Sequence, residues 1–124
     1  MILLSVEEIR TLHTKLITRT GGSDGLRDIG LLESAVYSAN AGFDGYEMYP
    51  DVEQKAARLM YALVSNHAFV DGNKRIGTLV MLMTLKLNGI SIVYSQSELI
   101  KIALEVASGK ASYEEVLDFI RNHM

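Results

Sequence analysis

A nine-residue segment near the middle of the chain concentrates the side chains that could do chemistry. It reads His-Ala-Phe-Val-Asp-Gly-Asn-Lys-Arg and occupies residues 67–75. An imidazole, a carboxylate, a glycine and two cations therefore fall within one short stretch, and the strongly apolar run Ile76–Leu85 follows it. Such a run is typical of a buried helix. A loop that brings polar groups to the N-terminus of a buried helix is physically suited to hold phosphate.

The second half of the segment predicts an anion-binding nest. Gly72 permits a backbone angle or a close approach that a side chain would block. Successive N–H groups from Gly72 through Asn73 can converge on an anion at the start of the helix. Lys74 adds a point charge, and Arg75 adds a planar fork that matches phosphate oxygens. We therefore expect nucleotide phosphates to bind at these four residues.

The first half supplies a proton acceptor and a hard oxygen ligand. The imidazole of His67 can take a proton from an attacking hydroxyl group. Asp71 offers a carboxylate, which suits one Mg²⁺ ion that also holds nucleotide phosphates. Phe69 lies between them, and we expect its ring to be buried so that the flanking polar groups are held still. Taken together, these parts predict phosphoryl or nucleotidyl transfer.

Six helices with short joints are predicted around this segment. Three of them open with a serine followed three residues later by glutamate, a pair that satisfies two backbone N–H groups. The fourth helix is apolar around most of its circumference, so we expect it at the centre of the fold. The prediction is one compact all-α domain over residues 1–124. The predicted helix starts are Ser5, Asp28, Asp51, Asn73, Ser95 and Ser112.

Two joints depart from the helical pattern. Residues 41–50 hold two glycines, three aromatic residues and the only proline, and predict a loop or a small hairpin. Tyr46 and Tyr49 in this joint can grip a partner if they are exposed, or pin the loop if they are buried. Ile90–Tyr94 is short and β-branched, and predicts an extended connector or one short strand.

Composition and charge exclude several classes of protein. Lys and Arg number 12 against 15 Asp and Glu, and this net charge of −3 argues against broad binding to nucleic acid. There is no cysteine, so a disulfide framework and a thiolate metal site are excluded. The start of the chain lacks the basic region of a signal peptide. The run Ile76–Leu85 is too short to span a bilayer, which takes about 20 residues. We expect a soluble, cytoplasmic protein.

The segment resembles the signature of the Fic/Doc superfamily, His-x-Phe-x-(Asp/Glu)-Gly-Asn-x-Arg. It is more similar still to the Doc ("death on curing") branch, the toxins of toxin–antitoxin pairs. Gly21-Gly22, residues 25–28 and residues 30–35 also look like the region that precedes the loop in Doc-like proteins. The resemblance implies a Fic fold of about six helices, with His67 as the base that activates a target hydroxyl. It further implies that the joint of residues 41–50 is a flap against which a target peptide aligns.

The resemblance also bears on which group is transferred. Fic proteins that transfer AMP usually carry glycine at the position of Lys74 and a second arginine at that of Thr78. Doc proteins share the lysine and pass the terminal phosphate of ATP to elongation factor Tu, which arrests translation. The resemblance therefore implies a kinase that uses ATP and Mg²⁺ and modifies a Ser or Thr hydroxyl of a translation factor. A Fic-type AMP transferase and a non-catalytic, nucleotide- or partner-binding regulator are the alternatives.

Regulation is implied to come from a second protein. Some Fic proteins inhibit themselves through a helix that bears Ser/Thr-x-x-x-Glu-Gly/Asn, and no such string occurs in this chain. In the Doc branch a separate antitoxin, often of the Phd type, covers the site, so the resemblance implies such a partner in trans. The two remaining histidines, His13 and His123, have no ligand partner at metal spacing, and we expect each to be structural or solvated.

Overall fold

In the computed structural model, which describes residues 1–124, the chain forms six α-helices and one two-stranded hairpin. The prediction of an all-α fold of about six helices, with a loop or hairpin at residues 41–50, is thereby confirmed. The helices are α1 (Val6–Thr20), α2 (Ile29–Ser38), α3 (Val52–Asn66), α4 (Asn73–Leu87), α5 (Gln96–Ala107) and α6 (Tyr113–Asn122), and the hairpin consists of β1 (Gly42–Phe43) and β2 (Tyr46–Glu47).

Five of the six helices begin at a side chain that accepts a hydrogen bond from the first turn. In α1, for example, Oγ of Ser5 accepts from the N–H of Glu8, and the Glu8 carboxylate accepts from the N–H of Ser5. A cap of this kind contributes about 0.5–2 kcal/mol. The exception is α4, whose N-cap is Gly72 and which has no side-chain cap.

The core is built around α3 and α4, which pack against each other more extensively than any other pair of elements. The fourth helix is central, as predicted, and it shares that place with α3. Gly77 allows the close approach, because an added Cβ would lie only 2.6 Å from Cγ2 of Val64 and 3.2 Å from the carbonyl oxygen of Met60. One hydrophobic cluster joins this pair to α5 and α6, and a second joins it to α1 and α2.

The joint at residues 41–50 is a hairpin fastened to the core by a buried lysine. Its two-residue turn places Asp44 at φ 49° and Gly45 at φ 76°, as hairpin turns require. Lys55 of α3 is only 3% exposed. Its Nζ donates to the carbonyl oxygen of Ala39 (2.9 Å) and to Oε1 of Glu47 in β2 (3.0 Å). The hairpin is therefore tied to the N-terminal part of α3.

The second irregular joint, Ile90–Tyr94, forms no regular secondary structure, so it is a connector and not a strand. The N–H of Val93 donates to the carbonyl oxygen of His123 at 2.8 Å, which fastens the connector to the end of α6. None of the helices combines the length and the apolar character that crossing a membrane requires.

Candidate active site

The segment His67–Gly72 joins the end of α3 to the start of α4, where the sequence predicted it. We call it the catalytic loop, after the chemistry that the sequence predicts for it. His67 follows the last residue of α3 in the left-handed conformation, with φ 52° and ψ 46°. This backbone region is uncommon for a residue other than glycine, and such outliers are often found at functional sites. The side chain of His67 is exposed and makes no hydrogen bond within the protein.

Arg27 holds the backbone at His67, a role that the residue pattern alone does not predict. Its Nε donates to the carbonyl oxygen of His67 at 2.7 Å, and its Nη2 donates to that of Asn66 at 3.3 Å. These carbonyls lie at the end of α3, where no intrahelical donor remains. The N–H groups of Arg27 and Asp28 both donate to the carbonyl oxygen of Ala68, at 2.8 and 3.0 Å. The only signal in the sequence was the resemblance over residues 25–28.

The middle of the catalytic loop is fixed by a buried ring and an amide clamp. Phe69 is 3% exposed, so its predicted role as an anchor is confirmed. Oδ1 of Asn73 accepts from the N–H of Phe69 at 3.1 Å, and its Nδ2 donates to the carbonyl oxygen of Phe69 at 3.0 Å. The side chain of Asn73 is therefore occupied. Only its backbone N–H remains for an anion.

The start of α4 presents three backbone N–H groups without an acceptor, those of Asn73, Lys74 and Arg75. We call these three groups the nest. The N–H of Gly72 is not part of it, because it donates to Oδ1 of Asp71 at 2.8 Å. Gly72 adopts φ 78°, and an added Cβ would come within 3.0 Å of Cδ1 of Ile17. The free donors and the helix dipole together favour a negative charge at this point.

Lys74 is the free cation beside the nest. It is exposed, and its ammonium group makes no ion pair or hydrogen bond within the protein. One turn further along, Oγ1 of Thr78 donates to the carbonyl oxygen of Lys74 at 2.6 Å. The hydroxyl of Thr78 is thus turned back onto the helix. No second arginine extends toward the nest from this position.

Asp71 is held as a carboxylate by backbone donors. Its Oδ2 accepts from the N–H of Ser23 at 3.2 Å, and its Oδ1 accepts from that of Gly72 at 2.8 Å. The bond from Ser23, followed by that from Gly72 and by the positive charge of Arg75, lowers the pKa of Asp71 below its ordinary value. Because its side chain is still 46% exposed, its oxygens have lone pairs open to solvent.

Arg75 is tied to the end of α1 as well as to the catalytic loop. Its Nη1 donates to the carbonyl oxygen of Gly21 at 2.8 Å and to the hydroxyl of Thr20. Its Nη2 lies 3.5 Å from Oδ1 of Asp71. Gly22 makes room for this pair, since an added Cβ there would lie 2.4 Å from Oδ2 of Asp71. Arg75 remains partly exposed, at 37% of its side chain, so part of its guanidinium group is accessible to a ligand.

The two tyrosines of the hairpin segment have different surroundings. Tyr46 is 72% exposed and makes no ring contact. Tyr49 packs edge-on against Tyr113, with ring centroids 5.0 Å apart, and Arg58 lies 5.6 Å from its centre. Tyr49 thus pins the segment, while Tyr46 is open to a partner. The Lys55 anchor of the hairpin lies about 18 Å from His67 along the axis of α3.

An apolar groove of about 400 Å³ runs between α1, α4 and α5 and borders the nest. Lys74, Arg75 and Thr78 lie along one side of it. Ile100 and Leu104 of α5 are each 52% exposed there. Its apolar lining consists of Leu16, Leu79, Leu99, Ile100, Ala103 and Leu104.

Comparison with known proteins identifies related sequences. The family model described as the Fic/DOC family matches residues 3–85, which include the catalytic loop and the nest. "Protein kinase doc" of Escherichia phage P1 is 32% identical over 118 residues, which cover 95% of this chain and 92% of that protein. "Toxin Doc" of Mycolicibacterium smegmatis is 42% identical over 72 residues, which cover 58% of this chain and 55% of that protein.

Proposed function

Because the chain belongs to the Fic/DOC family, we propose that it is a Doc-like toxin that acts as a protein kinase. It transfers the terminal phosphate of ATP to a Ser or Thr hydroxyl of a cytoplasmic translation factor resembling elongation factor Tu, and so arrests translation. Two findings support the proposal. A relative covered over almost its whole length is called a protein kinase, and a second relative is called a toxin.

The main support for the proposal is that some polar groups of the motif have no partner within the protein, while the others are already bonded. An exposed imidazole without a partner stands at one end of the catalytic loop, at His67. At the other end lie the three unpaired N–H groups of the nest and the free ammonium of Lys74. A phosphate group and a nearby hydroxyl would satisfy both ends at once.

The donor set fits Mg²⁺ bound together with a nucleotide. Mg²⁺ commonly takes one or two protein carboxylates and completes its shell with substrate phosphates and water. Asp71 is such a carboxylate, ionised and partly exposed beside the nest. No group of three or more His, Cys, Asp or Glu side chains could hold a metal ion alone, so the phosphates would have to share the ion with Asp71. When bound, Mg²⁺ would supply positive charge to the phosphate oxygens.

The reaction that this chain's groups can support is an in-line phosphoryl transfer. The target hydroxyl oxygen bonds to the terminal phosphorus, the bond from that phosphorus to the bridging oxygen breaks, and ADP leaves. The hydroxyl proton passes to an unprotonated ring nitrogen of His67. The nest and Lys74 hold the phosphate oxygens and offset the charge that they carry in the transition state. General-base help of this kind typically contributes about 10²–10⁴ in rate.

Lys74 and Thr78 favour phosphate transfer over AMP transfer. A lysine at position 74 occupies space beside the nest and adds charge, whereas glycine there would leave that space for the inner phosphates of ATP. The hydroxyl of Thr78 is committed to the carbonyl of Lys74, so it offers these phosphates no donor. AMP transfer through the same nest and the same His67 is the competing outcome.

ATP labelled at different phosphates tests the proposal directly. Purified protein is incubated with Mg²⁺, elongation factor Tu and either γ-labelled or α-labelled ATP. We expect label on the target only from the γ-phosphate. Label from the α-phosphate would mean AMP transfer. A nucleotide that raises the melting temperature but labels no protein would favour a non-catalytic, nucleotide-binding regulator, and a nucleotide that does neither would favour a partner-binding one.

Two histidine variants make the assay specific to the loop. His67→Ala removes the proposed base, and we expect transfer to fall by about 10²–10⁴. His123→Ala removes a histidine at the end of α6, outside the loop, and should leave transfer unchanged. Undiminished transfer by His67→Ala would rule out the mechanism.

The groove beside the nest is the surface on which we expect an antitoxin of the Phd type to bind. Its lining is apolar and its border with the nest is cationic, so it fits a segment of apolar and acidic residues. A chain seated there would cover Lys74 and Arg75. Ile100→Glu, a change at a half-exposed position, should weaken antitoxin binding and leave ATP-dependent transfer intact. Neutralisation that is unaffected by Ile100→Glu would place the antitoxin elsewhere.

A further inference from the structure

One buried histidine has no part in the proposed reaction. His13 lies in α1 with 1% of its surface exposed, and the sequence indicated no more than a structural or solvated place for it. Three contacts converge on its ring, and two of them come from the catalytic loop. His13 is therefore the side chain through which α1 holds that loop.

The imidazole of His13 makes one stacking contact through its ring and two polar contacts through its nitrogens. The ring stacks on Phe69, with centroids 3.8 Å apart and planes inclined by 13°. Nε2 lies 2.7 Å from the carbonyl oxygen of Asp71. Because a carbonyl oxygen only accepts, Nε2 carries the hydrogen and donates it. Nδ1 lies 3.5 Å from Oδ1 of Asp24, a half-exposed carboxylate.

The bond to Asp71 controls the orientation of a whole peptide unit. The carbonyl of Asp71 and the N–H of Gly72 belong to one planar group, so holding the first orients the second. That N–H in turn donates to the carboxylate of Asp71, at 2.8 Å. If the carbonyl is released, the peptide unit can rotate. The carboxylate and the start of the nest would then move together.

Resting on the proposed function, we propose that His13 is a positioning residue for phosphate transfer. It sets the catalytic loop so that Asp71 and the nest face the same ligand as His67. Its contacts to the ring of Phe69 and to the carbonyl of Asp71 fix the two residues on either side of the exposed Val70. Histidine can do both because it stacks like an aromatic ring and donates like an amide.

The two contacts can be removed separately. His13→Phe keeps a ring for stacking on Phe69 and loses the donor to Asp71. His13→Gln keeps an amide donor and loses the ring. Amide hydrogen exchange of residues 70–75, Mg²⁺·ATP affinity and transfer rate are measured for both variants and for the unaltered chain.

We expect His13→Phe to speed exchange at residues 70–75. Mg²⁺·ATP affinity and transfer rate should each fall on the order of tenfold or more, as displacement of positioned groups does in enzymes. His13→Gln should recover most of the affinity, because it restores the donor. A role limited to filling the core would give the opposite order, with the phenylalanine variant closer to the unaltered chain.

A control for stability is available on the same helix. Ile9 is fully buried in α1 and packs in the cluster shared with α2, so Ile9→Ala lowers stability without removing a contact to Asp71. We expect it to reduce the melting temperature and to leave Mg²⁺·ATP affinity within about twofold of the unaltered chain, because the bond from His13 to the carbonyl of Asp71 is kept.

Two results would overturn the role of His13. One is unchanged exchange and unchanged Mg²⁺·ATP affinity in His13→Phe. The other is an equal loss of affinity in Ile9→Ala, because the effect would then follow stability alone. Failure of the unaltered chain to transfer phosphate would instead refute the proposed function, and the exchange comparison would still decide whether His13 holds the loop.

Discussion

Within the motif, the polar side chains divide into two groups. The imidazole of His67 and the ammonium of Lys74 make no hydrogen bond or ion pair within the protein. Asp71, Asn73 and Arg75 are each tied to backbone or side-chain partners in the loop, and two of them also reach α1 or the segment after it. Substitution of a free residue should therefore change activity alone, whereas substitution of a tied residue should change activity and stability together.

Lys74→Ala tests the first half of that distinction. Loss of its charge should weaken Mg²⁺·ATP binding by about 1.5–3 kcal/mol, which is roughly tenfold or more. The melting temperature should not change, because the side chain has no partner to lose. Calorimetric titration with Mg²⁺·ATP measures the affinity. Lys86→Ala, an exposed lysine in the last turn of the same helix, is the matched control. Equal affinities for both variants would contradict a phosphate contact by Lys74.

The residues of the site that could be predicted are those that follow one another in the chain. The order of residues 67–75 predicts a loop that enters a helix, and this is a local property of the chain. Arg27 and His13 reach that loop from other elements, and their partners are carbonyl oxygens. Backbone acceptors have no residue type, so nothing in the sequence marks the side chains that will bind them.

At the scale of elements, the helix starts were predicted well because capping is a contact within four residues. The central place of α3 in the fold was harder to predict than its start. Three of its buried residues are alanines, which give a weak apolar signal in the sequence, yet they let neighbouring helices come close. Lys55 is also buried there, and a lysine in a sequence pattern predicts an exposed position. The buried residues of α3 are Lys55, Ala56, Ala57, Leu59, Met60, Ala62, Leu63 and Val64.

Lys55 gives a prediction about the hairpin. Lys55→Met keeps the length of the side chain and removes its hydrogen bonds to Ala39 and Glu47. We expect a loss of about 1–3 kcal/mol in the free energy of unfolding, because the buried carbonyl of Ala39 is left without a donor. Amide exchange should also speed up across residues 41–48. Glu47→Gln should cost less, since Glu47 is half-exposed and regains water. Exchange that is unchanged in the hairpin would show that Lys55 is not its anchor.

The contact between α5 and α6 should make stability depend on pH. Nε2 of His123 lies 2.7 Å from Oε2 of Glu98. The bond to Glu98, followed by that to the carbonyl of Phe119, raises the pKa of His123, and the same contact lowers the pKa of Glu98 to about 2. A raised histidine pKa adds stability that is complete below about 6.5 and is lost as pH rises through the folded value.

His123→Ala tests this dependence. Its urea midpoint should lie below that of the unaltered chain at pH 6, and the difference should shrink toward pH 9, because the folded chain loses the proton of His123 as pH rises through its raised pKa. Arg121→Ala removes a surface ion pair between Arg121 and Asp51, which contains no histidine. Its effect should be the same at both pH values. A pH-independent effect of His123→Ala would contradict the ion pair.

At the scale of the whole molecule, the two hydrophobic clusters share the same two helices. One cluster of 14 buried residues includes Met60 of α3, and the other, of 13, includes its neighbour Leu59. Consecutive residues of one helix thus face opposite halves of the core. Because α3 and α4 contribute to both clusters, unfolding of one cluster should also remove packing contacts from the other.

Alanine at these two positions tests whether the halves unfold together. Leu59→Ala and Met60→Ala should each cost about 2–5 kcal/mol. In both variants the amides of α1 and α2 should lose protection at the same urea concentration as those of α5 and α6, as in a two-state transition. Early loss of protection in α5 and α6 alone, in Met60→Ala, would show that the clusters are independent.

The uncapped start of α4 has a consequence for the medium in which the protein is kept. Any small oxyanion that binds the nest binds the folded chain alone, and so raises its stability with concentration. Phosphate or sulfate buffers should therefore raise the melting temperature and compete with the nucleotide, while a zwitterionic buffer should do neither. In a cell, inorganic phosphate would compete in the same way, so a higher phosphate concentration would raise the nucleotide concentration needed to fill the site.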